Sequence, residues 1–128
     1  MTIPVADTAY GHIATTEGVA VETRLADTEE AVRSYFSDIP VMIQIARCES
    51  TFRHTLSDGT VLRGKVDSAD TGVMQINLRY HGDTAEDLGL NLLDLHDNMA
   101  YARDLYEKQG TRPWAASAPC WAPTIAMR

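Results

Sequence analysis

The chain has 128 residues, enough for one domain, and its 45% hydrophobic and 23% charged residues lie close to the globular average. A formal net charge of −7 argues against nucleic acid as a partner, because phosphate binding needs clustered Lys and Arg. Two cysteines exclude a disulfide-dense scaffold and a CxxC metal site, and no apolar stretch approaches the ~20 residues that span a bilayer.

Residues 1–22 carry no sustained periodicity and read as a flexible N-terminal arm, leaving 23–128 as the domain. The opening stretch, Met1 to Asp7, lacks the basic and apolar regions of a signal peptide. A first helix is expected from Asp27 or Thr28, with Asp27 as its cap and Glu30 completing a capping box. Ala31, Val32, Tyr35 and Phe36 then recur at helical spacing. Pro40 suits the first turn of a second helix over 40–49, where its missing N–H costs nothing. That helix is apolar nearly all round and should be buried.

Asp58-Gly59, set between Leu56-Ser57 and Val61-Leu62, signals a β-hairpin. Thr71-Gly72 is expected to open a short apolar helix, Val73 to Asn77, capped by Asp67 or Asp70 and ended by Asn77. Asp83 to Gly89 reads as one or two helical turns stopped by the glycine. A longer helix spans Leu95 to Gln109 and stops at Gly110, with Met99, Ala102, Leu105 and Tyr106 facing inward and Lys108 near its negative end. From Arg112 onward, Pro113, Pro119 and Pro123 predict an irregular tail, in which Trp114 and Trp121 anchor to the core. The expected fold class is therefore α+β, mostly α, with a small β-hairpin.

The chemistry centres on Glu49. The apolar run Val41 to Ala46 leads almost directly into this carboxyl, and burial at the edge of a dry core penalises the charged form. A carboxylic acid that keeps its proton near neutral pH can serve as a general acid. The alternative is a solvated residue that merely ends its helix. Candidate second carboxylates are Asp58, which the turn explains, and Asp67 and Asp70, which helix capping would explain. Cys48 and Cys120 either form one bridge or remain two buried thiols, and their aromatic, motif-like contexts favour the bridge. His12, His54, His81 and His96 are scattered, with no HExxH motif or Cys/His cluster, so neither metal nor other cofactor is expected.

Cys48-Glu49-Ser50-Thr51-Phe52-Arg53-His54, followed by Ser68-Ala69-Asp70-Thr71-Gly72-Val73-Met74-Gln75-Ile76-Asn77, resembles the ES and GLMQ motifs of the lytic transglycosylase (SLT) domain of the lysozyme-like superfamily. Asn98 resembles a third recurring position of that family. Trp114 to Trp121 resembles the W-x-x-S-x-x-C-W ending of some lysozyme-like domains. The A-Y-N-x-G motif of many members is missing.

The resemblance covers about residues 39–121 and implies a lysozyme-like fold. It also implies cleavage of the β-1,4 bond between N-acetylmuramic acid and N-acetylglucosamine in peptidoglycan. Glu49 would protonate the glycosidic oxygen and then take the proton of the muramoyl C6 hydroxyl, giving a 1,6-anhydro product. A lysozyme-type hydrolase would use the same Glu49 with water, and a catalytically weak glycan-binding module would not need Glu49 at all. The substrate-binding residues expected on this reading are Ser50, Gln75, Ile76, Asn77, Tyr80, Asn98 and Tyr101, the two tyrosines as sugar-stacking platforms or core residues. Peptidoglycan strands would be the partner of a monomeric enzyme in the cell envelope, the periplasm or outside the cell. The net charge of −7 sits poorly with an anionic wall polymer, so a linker or partner domain is one expected source of wall affinity.

Overall fold

The computed structural model describes residues 25–126, so the expected arm over 1–22 lies outside the described residues. The fold is mostly helical with one small antiparallel strand pair, the α+β class the sequence predicts. Helix α1 runs over 25–35 and buries Val32, with Phe36 in the turn that follows it. Leu25 and Ala26, both strong helix formers, are already helical, so Asp27 lies inside α1 and does not cap it. Helix α2, Pro40–Ser50, follows with Pro40 in its first turn as expected, and buries Met42, Ile45 and Ala46.

Beyond α2 the chain reverses sharply. Thr51 and Phe52 both take left-handed conformations, with φ of 52° and 60°. The Thr51 amide closes α2 by donating to Arg47 O. Ser50 Oγ donates to Ala46 O (3.0 Å) and accepts from Arg53 N (3.3 Å), so the hydroxyl ends the helix and starts the reversal.

The Asp58-Gly59 turn forms as expected, with Asp58 Oδ1 accepting from Thr60 N (3.0 Å) and Thr60 Oγ1 (2.7 Å). Pairing there stops at one antiparallel bridge, Thr55 to Val61, and a second bridge links Arg63 to Thr71. The true strand pair is β1, Asp70–Thr71, against β2, Ile76–Asn77, in the register Asp70 to Asn77 and Thr71 to Ile76. The helix expected over Val73 to Asn77 is instead the turn between these strands. Gly72 and Gln75 both carry positive φ, 75° and 52°, which no α-helix accommodates, and Gln75 N donates to Gly72 O (3.0 Å). A Cβ on Gly72 would lie 2.6 Å from Asn98 Nδ2 and 2.6 Å from His54 Cε1, so only glycine fits.

Helix α3, Leu78–Asp87, is longer than the sequence suggested, and Asn77 starts it: its Oδ1 accepts from Arg79 N (3.0 Å) and Tyr80 N (3.3 Å). Helix α4, Leu95–Gln109, has the expected bounds, an Asp94 cap and Gly110 just beyond with φ 64°. The tail is not irregular. A 3-10 helix, Arg112–Ser117, runs into α5, Ala118–Ala126. Pro113 and Pro119 fall in first turns, where no intrahelical donor is needed, and packing against α2 overrides the break at Pro123. Trp114 and Trp121 are buried in the core with Phe36, Met42, Ile45, Met74 and Met99.

Candidate active site

Glu49, on the last turn of α2, is half-buried. Ser117 Oγ, at the end of the 3-10 helix, donates to Glu49 Oε2 at 2.6 Å, the length of a charge-assisted bond. Ser117 Oγ in turn accepts from Trp121 Nε1 (3.0 Å). A disulfide joins Cys48 to Cys120, residues next to Glu49 and Trp121, and clamps α2 to α5 at this point. The bridge favoured by the sequence context is thus the one formed.

Burial pushes the Glu49 carboxyl above its ordinary range. The Ser117 hydroxyl pulls it partly back, and the negative field of Asp70 adds to the rise. A carboxyl so placed holds its proton more firmly than a free one and can still release it to an oriented acceptor.

Glu49 opens onto a cleft of about 530 Å³ whose walls include Asp70, Gln75, Ser117, Arg53, Arg63 and Lys65. Asp70 and Gln75 reach it from either side of the Gly72 turn, which is held from several directions. Val73 N donates to His54 Nδ1 (3.0 Å), and His54 Nε2 donates to Leu93 O (2.8 Å). His54 is therefore the neutral Nε2–H tautomer, and burial keeps its pKa below the usual histidine value. Met74 N donates to Asn98 Oδ1 (3.0 Å), Asn98 Nδ2 donates to Thr71 O (3.0 Å) and Leu92 O (2.9 Å), and Trp114 Nε1 donates to Met74 O (2.9 Å). Gln75 Nε2 donates to Gly72 O (3.0 Å), which orients its side-chain amide at the cleft wall.

The expected site residues divide sharply. Glu49 and Gln75 share the main cleft. Ile76, Asn77 and Tyr80 line an adjoining cavity of about 270 Å³ that shares Asp70 and Gln75 with it. Tyr80 is 72% exposed there, suited to stacking. The Ile76 side chain belongs to the core, and the Asn77 amide is committed to Asp67 Oδ2 and Asp70 Oδ1, both at 3.0 Å.

Three expected ligand residues are structural instead. Ser50 is buried and spends its hydroxyl on backbone. Asn98 is 0% exposed with all its bonds made to backbone, because the turn it fastens has buried polar groups that need partners. Tyr101 is 2% exposed, and its hydroxyl meets His81 Nδ1 at 2.9 Å, which leaves no ring face for a sugar.

Asp67 does not cap a helix. It is held by Arg79 in a bidentate pair at 3.0 Å and also accepts from Ala69 N, which keeps its carboxyl far below the usual range. Asp70 is thus the second carboxylate of the cleft. Ser117 is the residue that sequence reasoning missed. Its signal lies in the Trp114 to Trp121 motif, as the serine midway between Trp114 and Cys120. Among the described residues no group of His, Cys, Asp and Glu could hold a metal ion, and no helix is long and apolar enough to cross a membrane. Comparison with family models, curated proteins and solved structures finds no match to this chain.

Proposed function

We propose that this protein cleaves the β-1,4 bond between N-acetylmuramic acid and N-acetylglucosamine in peptidoglycan as a lytic transglycosylase of lysozyme-like fold, with Glu49 as its single acid/base. The observation that carries the chemistry is the half-buried Glu49 carboxyl, raised by desolvation and anchored by Ser117, at the wall of an open cleft. The order of the Glu49-Ser50 and Gly72-Val73-Met74-Gln75 motifs carries the substrate class.

In the first step the Glu49 proton passes to the glycosidic oxygen as that bond breaks and the muramoyl ring becomes oxocarbenium-like. In the second, the Glu49 carboxylate takes the proton of the muramoyl C6 hydroxyl, whose oxygen closes onto C1. Ser117, which bonds the charged form, stabilises Glu49 between the two steps. The disulfide fits an oxidising compartment, in keeping with work at the cell envelope or outside the cell as a monomer.

Asp70 favours a second reading, hydrolysis by a lysozyme-type route. It faces the same cleft as Glu49, and glycosidases that use water employ a second carboxylate. Digestion of purified peptidoglycan with mass analysis of the products tests both. Anhydromuropeptides from the parent and none from Glu49→Gln support the transglycosylase, and reducing ends support hydrolysis. Intact peptidoglycan after incubation with the parent protein overturns both in favour of a binding module.

A further inference from the structure

The cations of this chain are distributed unevenly. Arg33, Arg79, Arg103 and Lys108 are each held by a carboxylate, from Glu29, Asp67, Asp38 and Asp104 respectively. Arg47, Arg53, Arg63, Lys65 and Arg112 have no ion pair among the described residues, and three of these, Arg53, Arg63 and Lys65, line the Glu49 cleft. The two guanidiniums are oriented by neutral acceptors: Arg53 Nε donates to Ser50 O (3.2 Å), and Arg63 Nη1 donates to Thr71 Oγ1 (3.1 Å). Each group is fixed through one nitrogen, makes no ion pair, and keeps its other donors for a planar anion. In a chain of net charge −7, three cations set against the two carboxyls of this cleft, Glu49 and Asp70, reverse the local balance of charge.

We propose that Arg53, Arg63 and Lys65 form a recognition wall for carboxylates carried by the glycan strand next to the bond that Glu49 attacks. The ligand is an acidic oligosaccharide, whether its carboxylate belongs to a lactyl ether on the sugar or to an attached peptide. The assignment rests on the reading of this cleft as a glycan site. It also answers the charge problem raised by the sequence. The negative surface disfavours adsorption of an anionic polymer elsewhere, while the cleft attracts it, so binding is directed to the productive site.

The test uses Glu49→Gln protein, which binds without turnover, titrated at low salt with three probes. These are neutral chitotetraose, an N-acetylglucosamine–N-acetylmuramic acid tetrasaccharide with free lactyl carboxylates, and the same tetrasaccharide bearing peptide stems. The carboxylated sugars should bind about tenfold more tightly than chitotetraose, and the gap should close as salt rises. Tightening that appears already with the bare tetrasaccharide assigns the wall to the lactyl carboxylate, and tightening only with the stems assigns it to the peptide. Adding Arg63→Gln and Lys65→Gln together should remove most of this gap while costing the fold no more than the single Arg63–Thr71 bond.

Equal affinity for all three probes, no binding of any, or a gap undiminished by the double substitution overturns the assignment. Cleavage of peptidoglycan by the parent measures the glycosidase reading separately. Equal affinities with cleavage intact reject the wall alone, whereas a salt-sensitive gap without cleavage rejects the catalytic reading and keeps the wall.

Discussion

Substituting Asn98 by Ala separates two roles that a buried amide in α4 could have. In the structure this side chain donates to Thr71 O and Leu92 O and accepts from Met74 N, at 2.9 to 3.0 Å, and is 0% exposed. Alanine would leave one buried N–H and two buried carbonyls without their partner. At about 1 to 1.5 kcal/mol for each lost bond, the fold should lose about 4 kcal/mol. That is a large share of the 5–15 kcal/mol typical of a whole domain. Urea denaturation of parent and variant under non-reducing conditions reads the difference directly. A fall in melting temperature of more than about 10 °C should accompany it. Asn98→Asp should be at least as damaging near neutral pH, since it keeps the acceptor for Met74 N and points a second acceptor at two carbonyls. A loss below about 1 kcal/mol for Asn98→Ala would refute the reasoning and return Asn98 to the cleft as a ligand residue.

Glu49→Gln should lower glycan cleavage by at least about 10³-fold while leaving the melting temperature near that of the parent, and an active variant would remove Glu49 from the chemistry. In Ser117→Ala the Glu49 carboxylate loses the hydrogen bond that favours its charged form, so its titration, followed by carboxyl NMR, should move to higher pH; a move to lower pH contradicts the assignment. Replacing both Cys48 and Cys120 by Ser opens a loop with a sequence separation of 72, and the chain-entropy account gives a loss of about 4 kcal/mol in urea denaturation. His54 is held neutral, below the 6.5 of a free histidine, so the unfolded chain takes up the proton first as pH falls. The stability advantage of the parent over His54→Gln should therefore shrink between about pH 7.5 and 5.5, and widening would show that the sign is wrong.

The long helices were legible because their signals are local. Pro40 and the apolar run marked α2, and Gly110 marked the end of α4. The Gly72 turn was not. Val73-Met74-Gln75-Ile76 has the composition of a short buried helix, and the groups that make it a turn, His54, Asn98 and Trp114, come from distant parts of the chain. Asn77 was read as a helix end because its role as a start depends on where the turn releases the chain. The role of Ser117 was hidden for the same reason, although its motif stood out, since its partner lies 68 positions away. Pro119 and Pro123 concealed α5, whose docking on α2 through the Cys48–Cys120 bridge outweighs local propensity. Glu49 could be found because an acid after an apolar run is anomalous within a single helix.

The distance in sequence between Glu49 and Ser117 has a temporal meaning. A polypeptide emerging from a ribosome or a secretion channel exposes Glu49 long before the residues that complete its surroundings. Until the last two helices arrive, the acid has neither its hydroxyl partner nor the thiol that fastens its helix. A truncation after Gly110 should therefore be inert in a glycan-cleavage assay, although it contains Glu49, Asp70 and Gln75. On this reading the C-terminal motif completes the surroundings of Glu49 only when the whole domain has been made.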